Sequence, residues 1–201
     1  MNRGRLIALE GLDGCGKSTQ LEPLAEALRA AGHDVVTTHE PTDGAHGRRI
    51  REMARARAAL EPAEELRWFV EDRREHVAQV IAPALAAGRV VLTDRYTLSS
   101  VAYQGARGLD WREILAESEA EFPLPDLALI FEIAPDVGLA RVRARGAPLE
   151  HAFEREEFLA KVARIFRALP CAYVARIDAA APPDAVAAAV RDCVRERLAL
   201  L

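Results

Sequence analysis

The sequence Gly11-Leu12-Asp13-Gly14-Cys15-Gly16-Lys17-Ser18 decides the fold class. It matches the pattern G-x-x-x-x-G-K-[ST] and stands directly after a short apolar run, Leu6 to Leu9, which predicts a buried strand. Apolar side chains at helical spacing follow over residues 17–31. Glycines let successive backbone N–H groups turn inward, and the start of the helix adds donors and a partial positive charge. The stretch therefore predicts a phosphate-binding loop between a strand and a helix.

Two side chains of this loop have specific chemistry in a nucleoside triphosphate site. Lys17 is placed to reach the β- and γ-phosphates, and the Ser18 hydroxyl is placed to help hold Mg²⁺. The chain has 27 basic residues, of which only Lys17 and Lys161 are lysine, so a lysine is kept where this chemistry requires one. The predicted ATP-binding residues are Gly11, Leu12, Asp13, Gly14, Cys15, Gly16, Lys17, Ser18 and Thr19.

The rest of the chain alternates short apolar runs with segments of helical periodicity. Further strands are predicted at residues 35–38, 89–93, 127–133 and 173–177, and a long helix is expected from Pro62 to near Gly88. Strands that alternate with helices pair in parallel through right-handed crossovers. We therefore expect an α/β fold in three layers, a five-stranded parallel sheet flanked by helices, with residues 1–201 forming a single domain.

Composition argues against several classes of protein. The net charge of −4 disfavours a general nucleic-acid binder. No run approaches the roughly 18 apolar residues of a transmembrane helix, and the N-terminus lacks the apolar region of a secretion signal. Neither the three cysteines nor the five histidines have metal-ligand spacing, and the histidines are expected at the surface or in loops. We expect a cytoplasmic protein without nucleic-acid or membrane partners.

The small number of lysines also separates the classes of P-loop protein. A guanine-specific GTPase reads its base with Asn-Lys-x-Asp, but the second lysine, Lys161, lies in Leu-Ala-Lys-Val. A motor or translocating ATPase would carry a hydrophobic strand ending in Asp-Glu, which the sequence lacks. A small phosphotransferase remains.

A second motif begins where the predicted strand at 89–93 ends, at the sheet edge where ligands bind in open α/β folds. Its sequence is Asp94-Arg95-Tyr96-Thr97-Leu98-Ser99-Ser100-Val101-Ala102-Tyr103-Gln104-Gly105. Asp94 is placed to bind Mg²⁺ or orient an acceptor, and Arg95 to hold a phosphate with two hydrogen bonds. The motif resembles the signature of the thymidylate kinases. Residues 10–20, 40–44, 69–73, 125–127, 135–146 and 177–179 are similar to that family in the same order, so the resemblance covers essentially the whole chain.

The resemblance implies transfer of the γ-phosphoryl group of ATP to the phosphate of dTMP, with Mg²⁺ as cofactor. It implies that Phe69 stacks on thymine and that Arg73, four residues later on the same helical face, donates to a carbonyl oxygen of the base. The implied catalytic residues are Lys17, Asp94, Arg95, Arg141, Arg143 and Arg145, the last three in a lid over about 141–156. The implied acceptor residues are Asp13, Glu40, Phe69, Arg73, Arg95, Ser100, Tyr103 and Gln104. The implied metal ligands are Ser18 and Asp94.

Two features place the chain within that family and one departs from it. Gly14 stands where one arrangement of the family has a basic residue, and the lid is rich in arginine, so the chain resembles the arrangement with catalytic arginines in the lid. His151-Ala152-Phe153-Glu154 stands where Asp-Arg-x-Glu is frequent. This departure leaves two alternatives open: a related nucleotide or deoxynucleoside kinase with another acceptor, or a nucleotide-binding protein without transfer activity. The resemblance also implies a homodimer, which the alanine-rich helices permit.

Overall fold

The computed structural model describes residues 3–56, 60–144 and 152–201, without the side chains of residues 152–155. The strands in these ranges are β1 (Arg5–Gly11), β2 (Val35–His39), β3 (Val90–Asp94), β4 (Leu127–Glu132) and β5 (Val174–Asp178). The helices are α1 (Lys17–Ala30), α2 (Ala45–Ala56), α3 (Pro62–His76), α4 (Ala82–Ala86), α5 (Thr97–Ala106), α6 (Trp111–Glu121), α7 (Pro135–Ala144), α8 (Ala152–Ala168) and α9 (Pro183–Leu198). No helix in the described ranges is both long and apolar enough to cross a bilayer.

The five strands form one parallel sheet in the order β2-β3-β1-β4-β5, with helices packed against it. Its central strands are buried because apolar side chains occupy both faces, and Leu6, Ile7, Ala8 and Leu9 of β1 are all 0% exposed. Leu9 of β1 lies opposite Asp94 of β3. This register brings the carboxyl ends of the two strands together, and the predicted α/β fold with a five-stranded parallel sheet is confirmed.

The predicted long helix after Pro62 is interrupted by a change of helix type. Helix α3 continues into a π-helical segment, Val77–Ile81, and then into α4. Pro62 stands in the first turn of α3, where its missing N–H has no helical partner to lose. Gly88, with φ of +76°, follows the end of α4, as expected for a glycine that terminates a helix.

Helix α7 packs directly on the backbone of the phosphate-binding loop. A Cβ atom added at Gly14, where φ is +80°, would lie 2.2 Å from the carbonyl oxygen of Gly138. A Cβ added at Gly138 would lie 2.8 Å from the carbonyl oxygen of Asp13. Position 14 therefore has no room for a side chain in this packing.

Candidate active site

The loop between β1 and α1 has the geometry of a phosphate cradle. Gly11, Gly14 and Gly16 have φ angles of +137°, +80° and +99°, which residues with a Cβ adopt only with strain. The Nζ atom of Lys17 donates to the carbonyl oxygens of Gly11 at 3.1 Å and Leu12 at 2.9 Å, and the side chain is buried. This burial lowers the pKa of Lys17. The ammonium group is therefore held inside the loop, close to the N-terminus of α1.

Ser18, in the first turn of α1, meets Asp94 at the carboxyl end of β3. The Ser18 hydroxyl donates to the Asp94 carboxylate with a separation of 2.5 Å. Hydroxyl and carboxylate oxygens are ligands that suit Mg²⁺, which proteins hold through one or two such groups together with substrate phosphates. The structure thus brings together the two residues predicted to bind the metal, and their donor chemistry fits that ion.

Arg95 connects the phosphate loop to α5. Its φ of +73° lies in the left-handed region, which is rare for a residue with a side chain and is typical of functional sites. Its guanidinium donates to Asp13 at 2.6 Å and to the Ser99 hydroxyl at 3.0 Å, and lies 5.1 Å from the centre of the Tyr103 ring. The Tyr103 hydroxyl accepts a hydrogen bond from the backbone N–H of Asp13 at 3.1 Å. Arg95, Asp13 and Tyr103 therefore form one connected group at the entrance to the cavity described next.

A cavity of about 260 Å³ lies between α3 and α5. All eight residues predicted to bind the acceptor line it: Asp13, Glu40, Phe69, Arg73, Arg95, Ser100, Tyr103 and Gln104. The sequence interpretation missed seven other lining residues, namely Pro41, Ile50, Met53, Ala54, Glu65, Tyr96 and Ser99. Ile50, Met53 and Ala54 come from α2, where arginine-rich sequence obscured them.

Two residues that line this cavity each have a buried polar atom without a hydrogen-bond partner among the described residues. Arg73 donates through Nε to Glu40 at 2.9 Å and through Nη2 to the backbone oxygen of Tyr96 and the hydroxyl of Ser100, but its Nη1 has no partner. Gln104 donates through Nε2 to Glu65 at 2.8 Å, while its Oε1 has no partner. One unpartnered donor and one unpartnered acceptor therefore belong to side chains of the cavity lining.

His76 is buried, so the expectation that the histidines lie at the surface or in loops is wrong for this residue. Its Nδ1 lies 3.0 Å from Glu40 and its Nε2 lies 2.7 Å from the Thr38 hydroxyl. Burial by itself would raise the pKa of Glu40, but the charge of Arg73 and the contact with His76 hold this pKa below its ordinary value. Thr38, His76, Glu40 and Arg73 thus form a chain of hydrogen bonds that holds the guanidinium in place. The spacing of apolar residues in the sequence gives no signal for this chain.

Glu10 is a second buried carboxylate that the sequence interpretation left without a role. It is 0% exposed and accepts hydrogen bonds from the backbone N–H groups of Tyr96 and Ser99 and from the Ser99 hydroxyl. Burial raises the pKa of Glu10, although the hydrogen bond from the Ser99 hydroxyl and the nearby charges of Arg95, Arg73 and Lys17 oppose the shift. Glu10 therefore caps the start of α5 from β1 and fixes Ser99, which in turn contacts Arg95. In the sequence, the signal for a role of Glu10 was its position as a charged residue at the end of an apolar strand.

A separate cavity of about 200 Å³ lies on the other side of the phosphate loop. It is lined by Gly14, Cys15, Gly16, Thr19, Gln20, Arg141, Ala179, Ala181, Pro183 and Val186. Arg141 of α7 donates to the backbone oxygen of Ala179 at 3.1 Å, and Gln20 donates to that of Pro183 at 3.0 Å. Arg143 also lies on α7, and Arg145 lies outside the described residues. Gln20 and Ala179 lie in stretches matched to the family but were given no role, and Ala181, Pro183 and Val186 were not predicted because small apolar side chains carry no motif.

The arrangement defines a class of protein. A phosphate-binding loop with an internal lysine contributes to two cavities, one lined also by Arg141 and one lined also by Phe69, Arg73 and Gln104. Such a pair of cavities around one loop is the geometry of a P-loop phosphotransferase that moves a phosphoryl group between two nucleotides.

Comparison with known proteins identifies the family within this class. The family model described as thymidylate kinase matches residues 9–190. A thymidylate kinase from Desulfotalea psychrophila is 45% identical over 185 residues, which cover 92% of this chain and 91% of that protein. A thymidylate kinase from Akkermansia muciniphila is 44% identical over 195 residues, covering 97% and 93%. One from Xanthomonas euvesicatoria is 46% identical over 183 residues, covering 91% and 80%. The chain belongs to the thymidylate kinase family, and the resemblance seen in its sequence is confirmed.

Proposed function

We propose that this chain transfers the γ-phosphoryl group of ATP to the phosphate of dTMP, giving ADP and dTDP, with Mg²⁺ as cofactor. The single observation that carries the choice of acceptor is the pair of buried, unpartnered atoms Arg73 Nη1 and Gln104 Oε1, a donor and an acceptor on two side chains that line one cavity. Thymine carries a carbonyl oxygen next to a ring N–H on one edge, so the two sets are complementary. Phe69 lines the same cavity and supplies an aromatic surface on which the base stacks.

The acceptor phosphate is placed by the group at the entrance to the cavity. Arg95 is held by Asp13 and Ser99 with its guanidinium between the cavity and the phosphate loop. A guanidinium offers two parallel N–H groups to phosphate oxygens, so Arg95 orients the dTMP phosphate toward the donor. Tyr103 packs on the deoxyribose where a 2′-hydroxyl would clash, which favours deoxynucleotides.

The donor side uses the phosphate loop and α7. The loop N–H groups and Lys17 bind the β- and γ-phosphates, and the cavity beside Arg141 takes the adenine. Ser18 and Asp94 hold Mg²⁺, which when bound neutralises charge on the phosphate oxygens. An oxygen of the dTMP phosphate forms the new bond to the γ-phosphorus, while the bond from that phosphorus to the bridging oxygen of ADP breaks. Arg141, Arg143 and Arg145 are proposed to stabilise the charge on the moving group.

Organisation of the protein is part of the same proposal. A single parallel sheet that receives every described strand supports one domain over residues 1–201, with a lid over about 141–156. Membership of the family supports a cytoplasmic homodimer whose substrates are ATP and dTMP. Sedimentation of the purified protein at several concentrations measures the oligomeric state.

Release of ADP by the purified protein tests the reaction. The assay supplies Mg-ATP with dTMP, dUMP, dCMP, AMP, thymidine or no acceptor, and repeats each with a Lys17→Ala variant. We expect turnover with dTMP well above the other acceptors and its loss in the variant. Fastest turnover with another acceptor identifies a related kinase. ATP binding with no turnover for any acceptor identifies a protein without transfer activity, and either result overturns the proposal.

A further inference from the structure

The amide of Gln104 is oriented by a buried carboxylate on a neighbouring helix. Gln104 lies on α5 and is 2% exposed, and its Nε2 donates to Oε1 of Glu65 on α3 at 2.8 Å. An ionised carboxylate has no proton to give, so only the NH₂ side of the amide can face it. The carbonyl side is then turned away from Glu65, and its Oε1 is buried without a partner among the described residues on a side chain that lines the acceptor cavity.

Glu65 is itself held in place from its other oxygen. Oε2 of Glu65 accepts a hydrogen bond from Nη1 of Arg107, and Nη2 of Arg107 donates to the backbone oxygen of Leu60 at 2.6 Å. The Glu65 side chain is 11% exposed and that of Arg107 is 28% exposed. Arg107 follows α5 directly, so the pair joins the end of α5 to the start of α3. Both oxygens of the carboxylate are occupied, and its rotation is restricted.

We propose that Glu65, held by Arg107, is a positioning residue that fixes the amide of Gln104 with its oxygen toward the base, and that this selects bases with a ring N–H against cytosine. The inference rests on the proposed function and concerns the same cavity. Thymine and uracil carry a hydrogen on N3, whereas cytosine carries a lone pair there. If cytosine occupied this position, its N3 lone pair would meet the Gln104 oxygen, so two acceptors would be in contact. A buried polar group without its partner is costly in free energy.

The role of Glu65 is separable from that of Arg73. Arg73 donates toward the neighbouring exocyclic position, where thymine has an oxygen and cytosine an amino group, and Glu65 makes no contact with Arg73 through the hydrogen bonds described above. Loss of Glu65 therefore removes one of two selecting contacts. The Gln104 amide then turns over freely and offers its NH₂ to the lone pair of cytosine, while Arg73 continues to select.

The test compares Glu65→Gln with Glu64→Gln. The first exchange keeps the shape of the side chain but lets it donate as well as accept, so both orientations of Gln104 are satisfied. The second makes the same change of charge one residue away, at a side chain that is 42% exposed and pairs with Arg67. The ratio of kcat/KM for dCMP to that for dTMP is measured for each, with dissociation constants by calorimetry where turnover of dCMP is too slow.

We expect the dCMP to dTMP ratio to rise at least fivefold in Glu65→Gln and to stay within twofold in Glu64→Gln. If Glu65 had a purely structural role, its exchange would lower kcat/KM for dCMP and for dTMP equally and leave the ratio unchanged. That result overturns the proposal while leaving the proposed function intact. A wild-type protein that neither binds nor phosphorylates dTMP in preference to dCMP overturns both. If Glu65→Gln does not fold, Arg107→Gln releases the carboxylate instead. A rise in its ratio of at least twofold supports the proposal, and an unchanged ratio refutes it.

Discussion

Replacing Glu40 with glutamine removes one charge from the buried pair with Arg73 and keeps the shape of the side chain. The two side chains are 3% and 1% exposed, and Glu40 Oε2 lies 2.8 Å from Arg73 Nη2. Removing one partner of a buried ion pair leaves the other charge without compensation, which costs about 3 to 5 kcal/mol. For a chain of this length each kcal/mol lowers the melting temperature by about 2 to 4 °C, so we expect a fall of roughly 6 to 20 °C.

The matched control is Glu132→Gln. Glu132 pairs with Arg176 at the same 2.8 Å, but these side chains are 37% and 34% exposed. Water screens such a pair, so its loss is expected to cost under about 1 kcal/mol. Urea unfolding of the two variants and the wild type measures both costs. A loss for Glu40→Gln that is no greater than that of the control would refute the account of Arg73 as a buried cation held by Glu40.

The dependence on pH adds a second check with a definite sign. The pKa of Glu40 in the folded protein lies below its ordinary value of 4.5, so the ionised group stabilises the fold at any pH above that value. As the pH falls below about 4.5, the unfolded chain takes up the proton first and this stabilisation is lost. The gap in unfolding free energy between wild type and Glu40→Gln should therefore narrow as the pH falls below about 4.5. A gap that widens in acid contradicts the sign.

Three further predictions concern the two cavities and the loop between them. Lys17→Ala should lower kcat by at least about 100-fold with little change in unfolding free energy, because the ammonium acts on developing charge, and a loss under tenfold would contradict this. Phe69→Ala should raise KM for dTMP by roughly tenfold or more while KM for ATP stays within twofold, since stacking on a base is worth about 1 to 3 kcal/mol. Gly138→Ala should raise KM for ATP and cost about 1 to 3 kcal/mol in urea unfolding, because its Cβ would lie 2.8 Å from the Asp13 oxygen. Unchanged ATP kinetics in this variant would show that α7 yields without moving the loop.

Motifs with a strict backbone requirement made much of the fold and site predictable. The loop around Lys17 could be predicted because its glycines permit one local backbone geometry, and Asp94 could be placed because it directly follows an apolar strand. Phe69 and Arg73 were placed by their helical spacing together with the family resemblance, and both line the cavity.

Residues that act through other side chains could not be predicted in this way. Glu65 and His76 show their roles only once α3 is packed against its neighbours, since the contacts span 36 to 42 residues of sequence. Glu10 shows the same limit, because it meets Tyr96 across two adjacent strand ends, 86 residues apart. A periodic pattern identifies which face of an element is buried, but it does not identify which polar residues on that face are paired.

The π-helical segment at Val77–Ile81 has a consequence for how this chain tolerates insertions and deletions. A π-turn accommodates one residue more than an α-helical turn, and one residue turns an α-helix by about 100°. The α3 side chains that line the cavity, Phe69 and Arg73, and the side chains of α4 that face the sheet are thus set in different angular registers along one continuous helix. Deleting one residue here would make the helix regular and rotate α3 relative to α4. Either Arg73 or Ala84 would then lose its present neighbours. This segment is therefore where a change in chain length would alter substrate recognition without altering any residue that contacts the substrate.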